Sequence, residues 1–490
     1  MINLTKHEDK LQNTIRRARE RGIIIPTYEQ MKDPSRIPAS IQEDLKSHGL
    51  WDVHPLNLFR ITWKNEPTPQ GGGYGGVNYI EFPPELTGVD ARIIALVGKW
   101  FPTGSHKVGA TFGCLAPTLV TGQFDPTFHK AVWPSTGNYC RGGAYNSSLL
   151  ACESIAILPE EMSRERFEWL SNVAGEVIAT PGCESNVWEI FQKCKELQAT
   201  RDNIMIFDQF EEPGNHLWHY DVTGHAMEEV LNAELGNDHY AGVVLTSGSG
   251  GTMGCGDYLK ELYPGSKLIA SEALQCPTML DNGFGGHRIE GIGDKHIPWI
   301  HNVKNTDFAV AIDDEDPMRL LRLLNDPIGK RYLQSLGMSE DYVNQLELLG
   351  ISSIANLLTS IKFAKYYELT GSDVVLTVLT DSMELYQTRL REQNEQFGPY
   401  TETQAAVDHN RHMLGLKTDS MIELGYRDRK RIHNLKYYTW IEQMGRSVEE
   451  LDRQWYDYDE YWGSIHRMVP AIDKLIVEFN EAVGLLKNTS

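Results

Sequence analysis

Short apolar runs at 130–133, 154–158, 176–179, 204–207, 241–245 and 267–271 alternate with stretches of helical period at 144–151, 163–174, 187–198, 223–235 and 255–262. Runs buried on both faces and joined through helices by short connections can pair side by side only as parallel strands, with the helices covering the sheet. This alternation predicts an α/β chain whose 490 residues form two lobes, each a mostly parallel sheet flanked by helices. Residues 1–57 read as a helical N-terminal extension, 58–392 as the core, and 393–490 as a helical, aromatic-rich C-terminal extension.

A net charge of −21 argues against nonspecific nucleic-acid binding, which needs basic surface to displace counterions. No run approaches the roughly 18 apolar residues that span a bilayer, so a membrane role is not expected. Charged and polar residues alternate from Met1 to Arg21 without the apolar core of a secretory signal, and the expected location is the cytoplasm. The seven cysteines are odd in number and lack a C-x-x-C pair, which fits reduced structural thiols. His216 and His219 are near in sequence without further local ligands, so no metal site is expected.

Several turns carry candidate chemistry. After the strand at 93–97, Pro102-Thr103-Gly104-Ser105-His106-Lys107 leads into a helix, placing Lys107 at a strand-to-helix turn. An amine held in an apolar cleft is neutral often enough to attack a carbonyl, which makes Lys107 a candidate Schiff-base former. The turn Pro134-Ser135-Thr136-Gly137-Asn138 opens a helix and offers N–H and hydroxyl donors suited to a carboxylate. Thr246-Ser247-Gly248-Ser249-Gly250-Gly251-Thr252, between a strand and a helix, lets successive N–H groups converge as a phosphate cradle. Its glycine spacing differs from G-x-G-x-x-G, although Glu272 lies about twenty residues on and keeps a dinucleotide alternative open. Phe59 to Trp63 reads as a strand, and Gln70 to Gly76 as a flexible loop or lid rather than a P-loop.

Together these features resemble the pyridoxal phosphate enzymes of fold type II, the tryptophan synthase β-like family, over roughly residues 58–392. The cysteine synthase and cystathionine β-synthase branch is the nearest likeness. It is carried by Asp208-Gln209-Phe210 with Pro213, Asn215, His219-Tyr220 and Thr223-Gly224, by His287 to Gly293, and by Leu379-Thr380-Asp381-Ser382. The resemblance implies that Lys107 holds pyridoxal 5′-phosphate as an internal aldimine and later moves the substrate α-proton. It implies that Gly248, Ser249, Gly250, Gly251 and Thr252 hold the phosphate, Asn138 the ring hydroxyl and Ser382 the pyridine nitrogen. Ser135, Thr136, Gly137, Tyr139 and Gln209 would face the substrate carboxylate.

The implied activity is β-replacement or β-elimination on an amino acid through an α-aminoacrylate, by a homodimer. A related dehydratase or ammonia-lyase is the enzyme alternative, and a non-catalytic binding protein retaining the fold is the alternative of another class. Three departures stand out: Val108 follows the lysine, Tyr139-Cys140 follows Asn138, and Gly350-Ile351-Ser352-Ser353-Ile354 precedes the last long core helix. A phenol beside Asn138 is expected to reshape the carboxylate pocket.

Overall fold

The apolar runs do form strands. The computed structural model describes residues 1–135, 137–182 and 186–486, so Thr136 and Cys183 lie outside the described residues. In chain order the strands are β1 (Tyr79–Phe82), β2 (Arg92–Val97), β3 (Lys130–Pro134), β4 (Glu153–Pro159), β5 (Glu176–Thr180), β6 (Ile204–Ile206), β7 (His239–Thr246), β8 (Lys267–Ala273), β9 (Phe308–Ile312), β10 (Asp373–Leu379) and β11 (Met421–Glu423). They build two sheets, a seven-stranded one in the order β1-β2-β10-β7-β8-β9-β11 and a four-stranded one in the order β5-β4-β3-β6. The smaller sheet is parallel throughout. In the larger one, the two edge strands β1 and β11 pair antiparallel with their neighbours, and the inner pairs are parallel.

Burial explains the composition of the inner strands. Ile93, Ile94, Ala95 and Leu96 of β2 and Val374, Val375 and Leu376 of β10 are fully enclosed, as strands covered by helices on both faces must be. The helix Ile351–Tyr366 crosses this sheet and ties two strands through one side chain. Asn356 accepts from Thr246 N–H at 2.7 Å and donates to the Val378 carbonyl at 2.7 Å.

Three expectations are corrected. Phe59 to Trp63 is not a strand: Pro55–Arg60 is a 3-10 helix entered at Pro55, and the chain then turns. Side chains replace a strand ladder here, because the Arg60 guanidinium donates to the carbonyls of Leu45, His48 and Gly72, while the Asn65 amide donates to those of Arg60 and Trp100. A short apolar run buried on every side has no period that separates the two states.

The glycine stretch is not a lid. Glu66 N–H to the Gly73 carbonyl, Gly75 N–H to the Lys64 carbonyl and the Tyr74 hydroxyl to the Phe59 carbonyl pin it to the preceding segment. The C-terminal region is also not purely helical, since it contributes β11 to the edge of the large sheet.

Both ends of the chain wrap the core and meet each other. Arg19, in the helix Glu8–Arg21, donates to the carbonyls of Val483 and Ala482 at the end of the helix Val469–Val483. The Asn480 amide both donates to the Ile25 carbonyl and accepts its N–H, and Asp473 accepts the N–H groups of Tyr28 and Glu29.

Lys436 fastens the C-terminal region to the core. Its buried Nζ donates to the carbonyls of Trp299 at 2.8 Å and His301 at 2.7 Å and to Gln454 Oε1 at 2.7 Å. Replacement by methionine keeps the stem and orphans these acceptors. Lys436→Met is expected to lower the unfolding free energy by about 1–3 kcal/mol in a denaturant titration.

Candidate active site

The site forms where the two lobes touch. Lys107 begins the helix Lys107–Val120, which packs closely on the helix Pro213–Trp218 because Gly109 and Gly113 carry no side chain. A Cβ on Gly109 would collide with the Trp218 ring, and one on Gly113 with the Gly214 carbonyl. Lys107 Nζ reaches across to donate to Ser249 Oγ at 3.1 Å. Ser249 also accepts from the buried Asn215 amide at 3.0 Å and from Gly251 N–H at 3.3 Å.

Gly248 to Thr252 form the turn between β7 and the helix Met253–Leu262. The loop is compact because backbone packs on backbone: the Gly293 N–H donates to the Ser247 carbonyl at 3.0 Å, and a Cβ on Gly248 would stand 2.5 Å from the Gly291 carbonyl. Gly250 has φ +74°, a conformation glycine takes without steric cost. A Cβ on Gly251 would collide with the Asn215 amide oxygen. The result is a cluster of N–H groups at a helix start, with a lysine and a serine beside it, which is the donor set an anionic phosphate requires.

The donor-rich turn sits on the facing lobe. Gly137 N–H donates to Ser135 Oγ at 3.2 Å, and Asn138 opens the helix Asn138–Leu149. Asn138 Nδ2 donates to Asp381 Oδ2 at 2.6 Å, so this amide is tied to the strand end that carries Ser382. Ser382 is buried, one residue beyond Asp381. Gln209 is buried too, and its carbonyl accepts from the same Asn215 amide that serves Ser249. Among the described residues two linked groups result: Lys107, Ser249 and Gln209 meet through Asn215, while Ser135, Gly137 and Asn138 are tied to the strand end of Asp381 and Ser382; Thr136 lies outside those residues.

Tyr139 is placed differently from the expectation. Its phenol packs edge-on against Trp133 with its hydroxyl 3.4 Å from Cys114 Sγ, inside the core. The helix start directs that side chain inward, and its main-chain N–H in the first turn is the group available to a carboxylate. Glu272 also departs from the dinucleotide alternative. It is buried, and its two oxygens accept the N–H groups of Met279 and Leu280, so it caps a helix and does not face a ribose.

The structure adds residues that the motifs did not single out. Asp381 accepts the Tyr386 hydroxyl at 2.7 Å, and Tyr386 accepts from Arg166, which pairs with Glu290 at 2.9 Å. Arg166 packs so tightly under the turn that a Cβ on Gly137 would collide with its guanidinium. Burial raises the Asp381 carboxyl, while the Tyr386 hydrogen bond and the Arg166 charge pull it back. The altered turn at Gly350 serves the same carboxylate. Gly350 N–H donates to the Asp381 carbonyl, and any side chain at Gly350 would strike Asp381 Oδ1.

Behind Lys107, burial holds His106 and His219 well below the usual imidazole range, and the Lys107 charge pushes both the same way. Asp294 follows the Gly291-Ile292-Gly293 turn. Burial pushes its carboxyl up to about 7, and the nearby Lys107 charge is the one opposing influence. Sequence neighbours gave a signal for Asp294 and Asp381, since each sits inside or next to a quoted motif. Arg166 and Tyr386 gave none, because the contacts that matter join distant segments.

A two-lobed α/β core whose lysine touches a glycine-rich loop at a helix start is an arrangement suited to an aldehyde bearing a phosphate. Comparison with known proteins narrows this. The family model described as "pyridoxal-phosphate dependent enzyme" matches residues 99–329. A cysteine synthase of Staphylococcus aureus is 30% identical over 286 residues, covering 58% of this chain and 84% of its own. A cystathionine beta-synthase of Saccharomyces cerevisiae is 25% identical over 317 residues, covering 62% of this chain and 59% of its own. The crystal structure of an O-acetylserine dependent cystathionine beta-synthase from Helicobacter pylori superposes with a TM-score of 0.52 at 26% identity, over 63% of this chain and 94% of that one. The chain belongs to the pyridoxal phosphate-dependent enzyme family of fold type II, and pyridoxal 5′-phosphate is its cofactor.

The residues present fit that group. The amide oxygens of Asn138 and Asn215 are buried without a partner beside the cluster, and the glycine loop has room only for backbone. Gly251→Ala is expected to weaken pyridoxal phosphate binding at least about tenfold in an absorbance titration, because the new methyl must displace the Asn215 amide.

A second prediction follows from Asp294. Its folded pKa of about 7 lies above the ordinary 3.8, so between these values the folded chain holds a proton that the unfolded chain has released. Stability therefore falls as pH rises through that window, at up to about 1.4 kcal/mol per pH unit, and levels off above it. Relative to wild type, the melting temperature of Asp294→Asn should rise from pH 5 to pH 7 and gain little beyond pH 8.

Proposed function

We propose that this chain catalyses β-replacement or β-elimination on a small amino acid, with Lys107 as the residue that holds pyridoxal phosphate and moves the α-proton. The observation that carries this reading is the 3.1 Å contact of Lys107 Nζ with Ser249 in the loop built for a phosphate. When bound, pyridoxal phosphate supplies an electron sink that acidifies the substrate α-carbon.

The chain's own groups then divide the work. The main-chain N–H groups at the start of the helix Asn138–Leu149 would receive the substrate carboxylate. Gly248, Ser249, Gly250, Gly251 and Thr252 would anchor the phosphate, and Asn138, whose amide oxygen has no protein partner, would hydrogen-bond the ring hydroxyl. Lys107 would hold the cofactor and would accept the substrate α-proton. Ser382 presents a neutral hydroxyl to the pyridine nitrogen. A hydroxyl does not enforce a protonated ring as a carboxylate would, which favours loss of the β-substituent over transamination.

A dehydratase or ammonia-lyase would use the same groups up to loss of the β-substituent, so the substrate decides between them. We further propose a cytoplasmic homodimer that acts on a free amino acid, with no nucleic-acid or membrane partner. The frequency of twofold assemblies and the exposed Tyr426, Tyr438 and Tyr456 of the C-terminal region support a protein interface.

The test is an absorbance spectrum of purified protein supplied with pyridoxal phosphate, before and after serine, O-acetylserine, cysteine, threonine or 2,3-diaminopropionate. A visible band that is lost in Lys107→Ala and that shifts with one of these amino acids is the expected outcome. Product analysis with and without added sulfide then separates replacement from elimination. A protein that acquires no band would overturn the reading.

A further inference from the structure

His216 and His219 are neighbours in sequence, yet they face different parts of the molecule. His219 accepts or donates to Thr223 Oγ1 at 3.0 Å and lies against His106. His216 turns the other way and meets His466, which belongs to the C-terminal helix Tyr458–His466. Their Nε2 atoms are 3.0 Å apart, and Oδ2 of Asp257, on the helix after the phosphate loop, lies 3.7 Å from the first and 4.0 Å from the second. All three residues are buried. We propose that His216, Asp257 and His466 bind one divalent transition-metal ion, with zinc the best fit, and that this ion joins the C-terminal region to the core.

The geometry and the surroundings support this assignment. Zinc bonds of about 2.0–2.1 Å to imidazole nitrogen and carboxylate oxygen place tetrahedral ligand atoms roughly 3.3 Å apart. The three separations bracket that value, so closing on an ion needs side-chain movements well under an ångström. Two imidazoles and a carboxylate form a borderline donor set that suits zinc and its neighbours better than calcium or magnesium.

The groups behind the ligands are fixed as well. Asp257 accepts from Asn302 at 2.8 Å on Oδ2 and from Asn305 at 2.9 Å on Oδ1, and the Tyr458 hydroxyl accepts from both amides. Tyr220 stacks on His466 with ring centroids 3.7 Å apart and donates to Glu261, whose other oxygen is 3.6 Å from His466 Nδ1. A shift of a few tenths of an ångström would bring Glu261 into hydrogen-bond reach of His466 Nδ1, an arrangement that leaves Nε2 free to ligate. Among the described residues no fourth side chain joins the cluster, leaving the remaining position to water.

The competing account is a plain hydrogen bond between two neutral imidazoles. The experiment uses the full-length, untagged protein purified without chelator, with metal measured by mass spectrometry. About one zinc per chain is expected, and dipicolinate treatment should lower the melting temperature until zinc is restored. Cobalt added to the stripped protein should give d–d bands in a difference spectrum.

His466→Gln can still hydrogen-bond His216 but lacks the imidazole ligand. It is expected to bind less than about a tenth of the wild-type zinc and to show no thermal response to the ion. Wild-type protein with far less than one metal per chain and a melting temperature indifferent to zinc would overturn the proposal, as would undiminished zinc in His466→Gln. Should that variant fail to fold, the stripping and cobalt measurements on wild type still decide the question.

Discussion

The buried hydroxyl of Ser249 is where the architecture converges. It receives Lys107 from the turn that follows β2 and Asn215 from the helix Pro213–Trp218, and it lies in the loop that follows β7 of the same sheet. A small polar group enclosed by protein must have its hydrogen bonds made internally, and partners placed this close leave little freedom to any of the three. The glycines at 109, 113 and 251 have the same origin, because each allows a backbone or side chain to approach where a methyl group would stand in the way. The glycine loop and the packing of the helices around it thus share these contacts, and neither can be altered alone.

A second constraint comes from charge inside the site. Arg166, Glu290, Tyr386 and Asp381 form a buried chain that ends on the Asn138 amide, and Arg389 pairs with the other oxygen of Glu290 at 2.7 Å. Removing water from a charge is costly unless its partners are in place, so each member holds the next in position. The start of the helix Asn138–Leu149 and the strand end that carries Ser382 are held against each other by this chain.

Much of this was legible in the sequence where a single segment carries its own signal. The alternation from β3 to β8, the loop at Gly248 to Thr252 and the position of Lys107 all depend on local period and local turn chemistry. Phe59 to Trp63 was misread because a run enclosed on all sides looks the same as helix or strand. Tyr139 was misread for a different reason, since the direction of a first-turn side chain depends on what the helix packs against. The Gln70 to Gly76 stretch has the composition of a mobile loop, but its order comes from Lys64, Glu66 and Phe59, which composition does not reveal. His466 lies 250 positions from its partner His216, and no spacing rule reaches that far.

The meeting of the two chain ends bears on how the molecule is made. The helix Glu8–Arg21 is synthesised well before the helix Val469–Val483 that Arg19 and Asn480 tie to this region. During synthesis at roughly 5–20 residues per second, Leu11, Ile15 and Ala18 lack that cover for tens of seconds. Core strands can pair in this interval, while closure over the helix Glu8–Arg21 waits for the helix Val469–Val483 to emerge. Early termination would therefore leave a nearly complete sheet with an uncovered apolar flank, a species suited to capture by chaperones or to aggregation.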